Sequence, residues 1–509
     1  MESGKLITLL KLGRLKRIYN DTIKNRQVVK KWIRELKDAP APKGRVLISA
    51  FRHVMWIEWA AYCSCVCRQM GYEATLLYKE SEIKKFFPQP SWLNFWIGIQ
   101  KIPGIRFVNI EELPFDQQVF NNYLAEGHDS IVAAVAYDHH VESADIVNDP
   151  SKYLTKLNAL KETAAINGAR VFKYLSTTRF HQFICYSGII SDTNLIVKGA
   201  LDAGQDVGCV EGWGWRPGHM IYNMGAPALE YNVQGWLNSF GKWNKEKEAE
   251  MMTYFSFLDG NKYDSDWLKD FYPVQPTKIS EIFPDYITDF LKKEGKVFLL
   301  ACNVIGDSSL LNRETIFRSH REFIKKTVDY FRSHKDIKLI IRVHPAEEWV
   351  KAKVSIKLGA FSRSISEGME NVLVIDSTEK LNTFSLVPYA HTGIIWVTSA
   401  GVDLVVRGVP VIAAAKPKYQ GLGIVNEPAT QEEFFALIDY YSKTEKKVSA
   451  DQIQKAKEYL YMVFRGFSFE AHSNTWRASS CILNNMPHQQ EHDRFYKILL
   501  KLEPAPDNS

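Results

Sequence analysis

Several absences narrow the classes to which this 509-residue chain can belong. No apolar run approaches the roughly 20 residues that a membrane-spanning helix needs, and Leu6–Leu10 is too short an apolar core for a signal peptide. The seven cysteines lack the spacing of a disulfide framework or a metal site, which favours a reducing cytoplasm. The GxGxxG fingerprint, the Walker loop and zinc signatures are missing as well.

The chain also carries little net charge. Its 64 basic and 58 acidic residues leave a formal charge of +6, so the composition does not imply a nucleic-acid partner. The basic excess is local to Lys5–Lys37, where acids are few. Two interpretations stay open for this segment: a solvated helix face, or a basic amphipathic helix that contacts an anionic membrane surface.

The length of the chain favours more than one domain. A strand is predicted at Arg45–Ala50, a helix at Met55–Gln69 and further strands at Glu73–Tyr78 and Ile131–Ala136. A break near Tyr272–Pro276 separates this α/β half from a second one. The predicted divisions are a basic helical segment at 1–40, an amino-terminal Rossmann-like domain at 41–276, a carboxyl-terminal Rossmann-like domain at 277–466, and a helical segment at 467–509 that packs back on the first domain.

The second half repeats the pattern of a buried strand followed by a polar loop. Strands are predicted at Lys296–Ala301, Ile337–Val343 and Gly393–Val397, with a helix at Ala400–Arg407 after the last of them. In a parallel sheet these loops gather at the carboxyl ends of the strands, where phosphorylated ligands bind.

His344 and Pro345 follow the strand Ile337–Val343 directly. Proline favours the first position of a helix, which would place His344 at the cap, where its ring and free amides can meet an anionic group. Arg342 lies two residues earlier, either as a second phosphate contact or as a buried structural cation.

Thr398 and Ser399 end the strand Gly393–Val397. Serine is a common helix cap, and its hydroxyl would also point toward the crevice at the strand ends. Gly401 would let a ligand approach the backbone. Asn303 and Asp307 follow the strand Lys296–Ala301, and Lys416 follows a later one, so these loops should rim the same crevice.

In the first half, Glu211 follows a short strand and stands in a loop rich in glycine and tryptophan. A carboxylate can act as base or nucleophile on a sugar, and the rings of Trp213 and Trp215 suit sugar faces. The alternative is a structural pairing of Glu211 with Arg216. A polar cluster at Asp138–Glu142 is better explained as a polar loop after the strand Ile131–Ala136 than as a metal site.

Five motifs resemble bacterial capsule polysaccharide biosynthesis glycosyltransferases, the group that includes Kdo transferases. The His-Pro and Ser/Thr motifs among them are also similar to those of bacterial sialyltransferases. The five motifs are VEGWGWRP, ACNVIGD, IIRVHPAE, WVTSAGVDLVVRGVPVI and KPKYQGLGIV. The resemblance implies a GT-B-like α/β fold, in which two Rossmann-like, doubly wound domains face a central cleft. It also implies donor contacts from His344 and Thr398–Ser399, with Glu211 as the acidic residue of the amino-terminal half.

These expectations describe a cytoplasmic enzyme, with peripheral contact to the inner face of the cytoplasmic membrane as an option. It would transfer a sugar from a nucleotide-sugar donor, CMP-activated in one version, to a surface polysaccharide or a lipid-linked acceptor. No cofactor or metal is expected, because the nucleotide sugar is a substrate and helix amino termini can neutralise the leaving phosphate. The alternatives are a nucleotide-sugar epimerase of GT-B fold and a non-catalytic scaffold of a glycan-assembly complex.

Overall fold

The structure is a computed structural model, and most of the chain is described. The described residues are 23, 26–51, 54–85, 90–139, 141–189, 191–212, 219–259, 278–305, 307, 310–348, 356–445, 447–463, 469–470 and 489–504.

Two compact units make up the chain. The first comprises Met1–Ile131, Asn158–Asn232 and Ser468–Ser509, and the second comprises Val132–Leu157 and Val233–Phe467. This division differs from the predicted one, because 132–157 and the described stretch 233–259 belong to the second unit rather than to the first. The chain therefore crosses between the units more often than a single boundary near residue 276 would require.

The sheet of the first unit has the order β12-β6-β5-β4-β1-β2-β3 in the described chain. Its parallel part runs from β5 to β3, and β6 and β12 add antiparallel strands at one edge. Its strands are β1 Gly44–Ala50, β2 Tyr72–Tyr78, β3 Ile105–Asn109, β4 Gln182–Tyr186, β5 Val207–Gly212, β6 His219–Met224 and β12 Phe469–Glu470. Nearly continuous apolar runs such as VLISA in β1 are typical of strands covered on both faces.

The sheet of the second unit is parallel throughout its described strands, in the order β11-β10-β7-β8-β9. Its strands are β7 Val297–Ala301, β8 Lys338–Arg342, β9 Val372–Ile375, β10 Ala390–Ile395 and β11 Val411–Ala413. Leu300, Ile341 and Ile394 are fully buried in one cluster with the aromatic ring of Phe323. In both units the parallel strands follow the order 3-2-1-4-5 of a doubly wound sheet, which confirms the predicted α/β class. The arrangement of the two domains around a cleft stays a prediction.

Helices surround these strands. After residue 36, the described α-helices are Val54–Gln69, Glu80–Lys84, Pro90–Ile99, Gln117–Glu126, His128–His139, Ser143–Asn148, Leu154–Thr177, Ser191–Asp202, Val233–Ser239, Lys245–Leu258, Asp285–Lys292, His320–Ser333, Leu358–Ile365, Ala400–Val406, Gln431–Lys443, Ala450–Tyr461 and Gln489–Leu499. Short 3-10 helices occupy Ile110–Glu112, Pro150–Tyr153, Pro345–Glu348 and Thr383–Leu386.

The prediction of a strand at Ile131–Ala136 is wrong, because this run lies inside the helix His128–His139. An apolar run without periodicity does not distinguish a buried strand from a buried helix, and its three alanines favour the helix. The segment that follows is anchored within the second unit by Glu142. Its carboxylate accepts hydrogen bonds from the backbone N–H groups of His320 and Arg321 and pairs with the Arg321 guanidinium, which also pairs with Asp145.

The basic amino-terminal segment is helical over residues 26–36. Its apolar side chains are buried in the first unit, where the ring of Trp32 lies 6.4 Å from the rings of both Tyr62 and Phe95. Arg26, Lys30 and Arg34 are exposed on the other side. Residues 1–22 lie outside the described residues. No helix in the described part of the chain is both long enough and apolar enough to cross a membrane.

Candidate functional site

The carboxyl edge of the sheet in the second unit contains its topological switch point, between β7 and β10. The strand order places the connections from these neighbouring strands on opposite sides of the sheet, and doubly wound sheets bind ligands at such a point. Asn303 spans this point, because its side-chain oxygen accepts a hydrogen bond of 3.3 Å from the backbone N–H of Val397. The amide is nearly buried and ties the loop after β7 to the loop after β10.

His344 follows β8 at the same edge and is partly buried. Its Nδ1 accepts a hydrogen bond of 3.1 Å from the backbone N–H of Ala346, so in the neutral ring the proton is on Nε2. Burial and the nearby charge of Arg342 lower the pKa of His344 to about 4. The helix that Pro345 begins is a 3-10 turn of four residues, Pro345–Glu348. His344 therefore precedes a short 3-10 turn and does not cap a long helix.

Of the two roles predicted for Arg342, the contacts of its side chain fit the buried structural cation. Its side chain is 1% exposed, and its terminal nitrogens donate to the carbonyl oxygens of Asp376, Glu379 and Leu381. Burial lowers its pKa to about 10, which leaves the guanidinium charged at neutral pH. Arg342 therefore holds the 376–381 loop in place through contacts within the protein.

Thr398 and Ser399 follow β10, but the capping roles are reversed from the expected ones. The Ser399 side chain makes no capping hydrogen bond to the helix Ala400–Val406. The Thr398 hydroxyl accepts a hydrogen bond of 3.3 Å from the backbone N–H of Ala400 instead. Both residues are partly exposed at the edge of the sheet, so the Ser399 hydroxyl is not committed to the helix that it begins.

Gly401 serves protein packing rather than the approach of a ligand. A Cβ atom at this residue would lie 2.4 Å from the Tyr419 hydroxyl and 2.6 Å from Cδ1 of Ile395. The Tyr419 hydroxyl donates a hydrogen bond of 2.8 Å to the carbonyl of Thr398 and is fully buried with its ring. The Tyr419 hydroxyl therefore lies beside Gly401, in the space where the sequence predicts a ligand.

Asp307 and Lys416 lie in the loops after β7 and β11. Asp307 is partly buried in a turn in which its backbone N–H donates to the carbonyl of Val304 at 3.3 Å. Lys416 has an exposed side chain, and its backbone N–H donates to the carbonyl of Arg313 at 2.9 Å. That bond joins the loops that follow the two strands. The edge thus gathers Asn303, His344, Thr398, Ser399 and Lys416 through the order of the strands.

Glu211 lies near the carboxyl end of β5 in the first unit and is partly buried. The hydroxyl of Tyr186, the last residue of β4, accepts a hydrogen bond of 3.1 Å from the backbone N–H of Gly212. Burial raises the pKa of Tyr186 well above its usual value, and the Glu211 carboxylate, which shares a hydrogen bond with the hydroxyl, raises it further. Trp213, Trp215 and Arg216 lie outside the described residues, so their predicted roles stay predictions.

Sequence reasoning missed two tyrosines that organise these strand ends, Tyr186 and Tyr419. Tyr186 is the last residue of an apolar strand and precedes Ser187-Gly188, a signal of a tight turn that could have attracted attention. Tyr419 stands among the glycines of the loop after β11. A hydroxyl on a buried ring requires a polar partner, but the sequence does not reveal which one.

Residues 274–456 match the family model described as capsule polysaccharide biosynthesis protein. The match spans 183 of 509 residues and includes the strands β7 to β11 together with every loop of the edge described above. The predicted resemblance to this family is confirmed over that part of the chain. Among curated proteins, none matches this chain.

Comparison with solved structures finds matches that include two structures of Thermosulfurimonas dismutans KpsC. The beta Kdo 2,7 transferase is 12% identical, with 62% of this chain and 87% of that chain covered at a TM-score of 0.35. The beta Kdo 2,4 transferase is 12% identical, with 59% of this chain and 86% of that chain covered at a TM-score of 0.35. The UDP-GlcNAc 2-epimerase of Neisseria meningitidis is 12% identical, with 81% of this chain and 97% of that chain covered at a TM-score of 0.25. These values describe a similarity to transferases and an epimerase alike and do not distinguish between their activities.

Proposed function

We propose that this protein is a glycosyltransferase of surface-polysaccharide assembly. It would transfer a sugar from a nucleotide-sugar donor to a growing capsular glycan or to its lipid-linked acceptor. The observation that carries the proposal is the family match over 274–456, which coincides with the parallel sheet of the second unit and its switch point. A doubly wound sheet binds phosphorylated ligands at that location.

The donor would bind at the carboxyl edge of β7, β8, β10 and β11. His344 would donate a hydrogen bond from Nε2–H to a phosphate oxygen, and the partly exposed hydroxyls of Thr398 and Ser399 would donate others. Lys416 would supply positive charge from the rim, because the Arg342 guanidinium is committed to backbone carbonyls. These donors would stabilise the charge that develops on the leaving phosphate.

Glu211 would act on the sugar, as a base toward the acceptor hydroxyl or as a nucleophile toward the donor carbon. Its position at the end of β5 and its partial exposure support this assignment. The acceptor would be held in part by Trp213, Trp215 and Arg216. The exposed basic residues of the amino-terminal helix support a cytoplasmic enzyme that contacts an anionic membrane surface, where a lipid-linked acceptor would be available.

Nucleotide binding tests the donor site. We expect one class of nucleotide sugar, among those of CMP, UDP and GDP, to raise the melting temperature. At a ligand concentration of 100 times the dissociation constant, the folded protein should be stabilised by about 2.7 kcal/mol. His344→Ala and Ser399→Ala should each weaken binding in calorimetry by about 0.5–1.5 kcal/mol, the net value of one neutral hydrogen bond. His391→Ala is the matched control, because this histidine lies in β10 at the opposite edge of the same sheet.

Unchanged affinity in both His344→Ala and Ser399→Ala would remove the donor-site assignment. The alternatives give different results. A nucleotide sugar that is converted without any acceptor would indicate an epimerase, and a protein that binds none of the nucleotides would be a scaffold.

Transfer activity tests Glu211. Glu211→Gln should leave donor binding intact and lower turnover about 100-fold or more, the usual loss for a positioned acid–base group. Glu230→Gln, which changes an exposed carboxylate of the same unit, serves as the control. Near-full transfer by a folded Glu211→Gln enzyme would reduce this residue to a structural role.

A further inference from the structure

Tyr186 ends β4, and Glu211 is the penultimate residue of the adjacent parallel strand β5, at the carboxyl edge of the first sheet. The Tyr186 hydroxyl accepts a hydrogen bond of 3.1 Å from the backbone N–H of Gly212. The next backbone N–H, that of Ser187, donates to the carbonyl of Val210 at 2.6 Å. The peptide units on both sides of Glu211 are therefore held by Tyr186 and its neighbour.

The ring of Tyr186 has little freedom to move. It is 7% exposed and stacks on Trp56, with 4.5 Å between ring centroids and 23° between planes. Trp59 packs edge-on against it at 5.6 Å. The backbone N–H of Tyr186 donates to the Ser49 hydroxyl of β1 at 3.2 Å. These contacts hold the ring in place and fix the position of its hydroxyl near the end of β5.

The backbone turns sharply after Tyr186. Ser187 has φ of 65° and Gly188 has φ of 71°, so two successive residues adopt the left-handed conformation. Such a conformation is strained for a non-glycine residue. Ser187 is 3% exposed and is held by the bond to Val210 and by the backbone N–H of Ala228, which donates to its carbonyl at 3.0 Å. The strained turn ends β4 where the Tyr186 ring meets β5.

The hydroxyl of Tyr186 also has a proton to donate. Because the oxygen already accepts from Gly212, the proton is directed to another acceptor, and the Glu211 carboxylate shares a hydrogen bond with this hydroxyl. Burial keeps the pKa of Tyr186 well above its usual value, so the proton stays on the tyrosine over the physiological range. A donor fixed in this way favours the ionised form of a carboxylate.

We propose that Tyr186 is a positioning residue that holds the Glu211 carboxylate ionised and oriented for sugar transfer, an inference that rests on the proposed function of Glu211. Tyr186 makes no bond to substrate in this mechanism. It acts through the hydroxyl that joins the Gly212 amide to the Glu211 carboxylate.

The test is Tyr186→Phe, which keeps the ring on Trp56 and removes only the hydroxyl. We expect kcat to fall roughly 10-fold with KM nearly unchanged. The acidic limb of the pH–rate profile should move to higher pH, because the carboxylate loses a donor to its charged form. In protein labelled with carbon-13 at the glutamate carboxyls, the Glu211 signal is identified by its disappearance in Glu211→Gln. Its titration should move in the same direction.

Tyr123→Phe is the matched control. The Tyr123 hydroxyl also donates to a carboxylate, that of Asp202 at 2.6 Å, in the same unit but on the helices Gln117–Glu126 and Ser191–Asp202. This variant should change neither kcat nor the titration of Glu211. An unchanged Glu211 titration in Tyr186→Phe, or an unchanged kcat, would overturn the proposal. Full activity of Glu211→Gln would instead overturn the catalytic role of Glu211, a separate failure that would remove the need for positioning as well.

Discussion

The hydroxyl of Tyr419 occupies the space in which a side chain at Gly401 would begin. A Cβ at Gly401 would lie 2.4 Å from that oxygen, which donates to the Thr398 carbonyl at 2.8 Å. The turn from β10 into the helix Ala400–Val406 is therefore closed by a residue from the loop after β11. The contact ties the loop after β11 to the end of β10.

Gly401→Ala should lower the free energy of unfolding by about 1–3 kcal/mol, because an added methyl group overpacks a dense site. Tyr419→Phe should cost about 1 kcal/mol for the lost hydrogen bond. The double variant should be less destabilised than the sum of the two, because removal of the hydroxyl relieves part of the overlap. Urea unfolding of the four proteins measures this coupling. Strict additivity would show that Tyr419 does not restrict residue 401.

Arg342→Met should destabilise the protein by about 2–4 kcal/mol, because the carbonyls of the 376–381 loop lose their charged donor. Nucleotide affinity, measured below the unfolding transition, should stay within about twofold, since a change under 0.4 kcal/mol is expected from a residue that is not a ligand contact. Arg363→Met is the control, because Arg363 pairs with Asp376 from a side chain that is 54% exposed. A large loss of affinity at full stability would return Arg342 to the donor site.

His320→Phe should make the protein less sensitive to acid. The ring is 2% exposed between Trp396 and Phe323, neither ring nitrogen has a hydrogen-bond partner within the described chain, and burial lowers the pKa to about 3. Between pH 6.5 and about 3, His320 is protonated in the unfolded chain and neutral in the folded protein. Stability therefore falls as pH falls. At pH 4 the free energy of unfolding should be lower than at pH 7 by about 3 kcal/mol because of this residue.

Urea unfolding of the wild type and of His320→Phe at both pH values measures that difference. At pH 7 the variant should be more stable by about 1 kcal/mol, because an unsatisfied buried group is replaced by an apolar ring. His320→Gln separates the loss of titration from the loss of the ring. Identical acid sensitivity in all three proteins would show that His320 does not control it.

The basic face of the amino-terminal helix should bind anionic vesicles at low salt. The exposed residues of this face are Arg26, Lys30, Arg34 and Lys37. Their replacement by glutamine should abolish most of the flotation with phosphatidylserine liposomes, since each contributes about 1 kcal/mol near such a surface. Deletion of the helix is unsuitable as a test, because Val28, Trp32 and Leu36 belong to the core of the first unit.

A variant with the same change of charge on the second unit controls for general electrostatics. It replaces the exposed residues Lys292, Lys325, Lys335 and Lys443. Equal flotation of the wild type and of the amino-terminal variant would contradict a role for this helix at the membrane.

The α/β class and the positions of most strands could be predicted from the sequence, because a buried parallel strand requires a short apolar run whatever its neighbours are. The runs in β1, β7 and β8 are of this kind. The order of loops along the second half also predicted which residues share an edge, since parallel strands end on the same side. His344 and Thr398–Ser399 were located in this way.

Only the tertiary structure decided what each of these side chains contacts. Arg342 meets carbonyls 34 to 39 residues away, and the partner of Thr398 is Tyr419, 21 residues along the chain. Likewise Ile131–Ala136 could be strand or helix until its neighbours were known, and Glu142 belongs with Arg321 of the second unit. Local sequence determines where an apolar segment can be buried. The choice between a ligand and the protein as the partner of a polar group depends on contacts between distant residues, which the fold alone brings together.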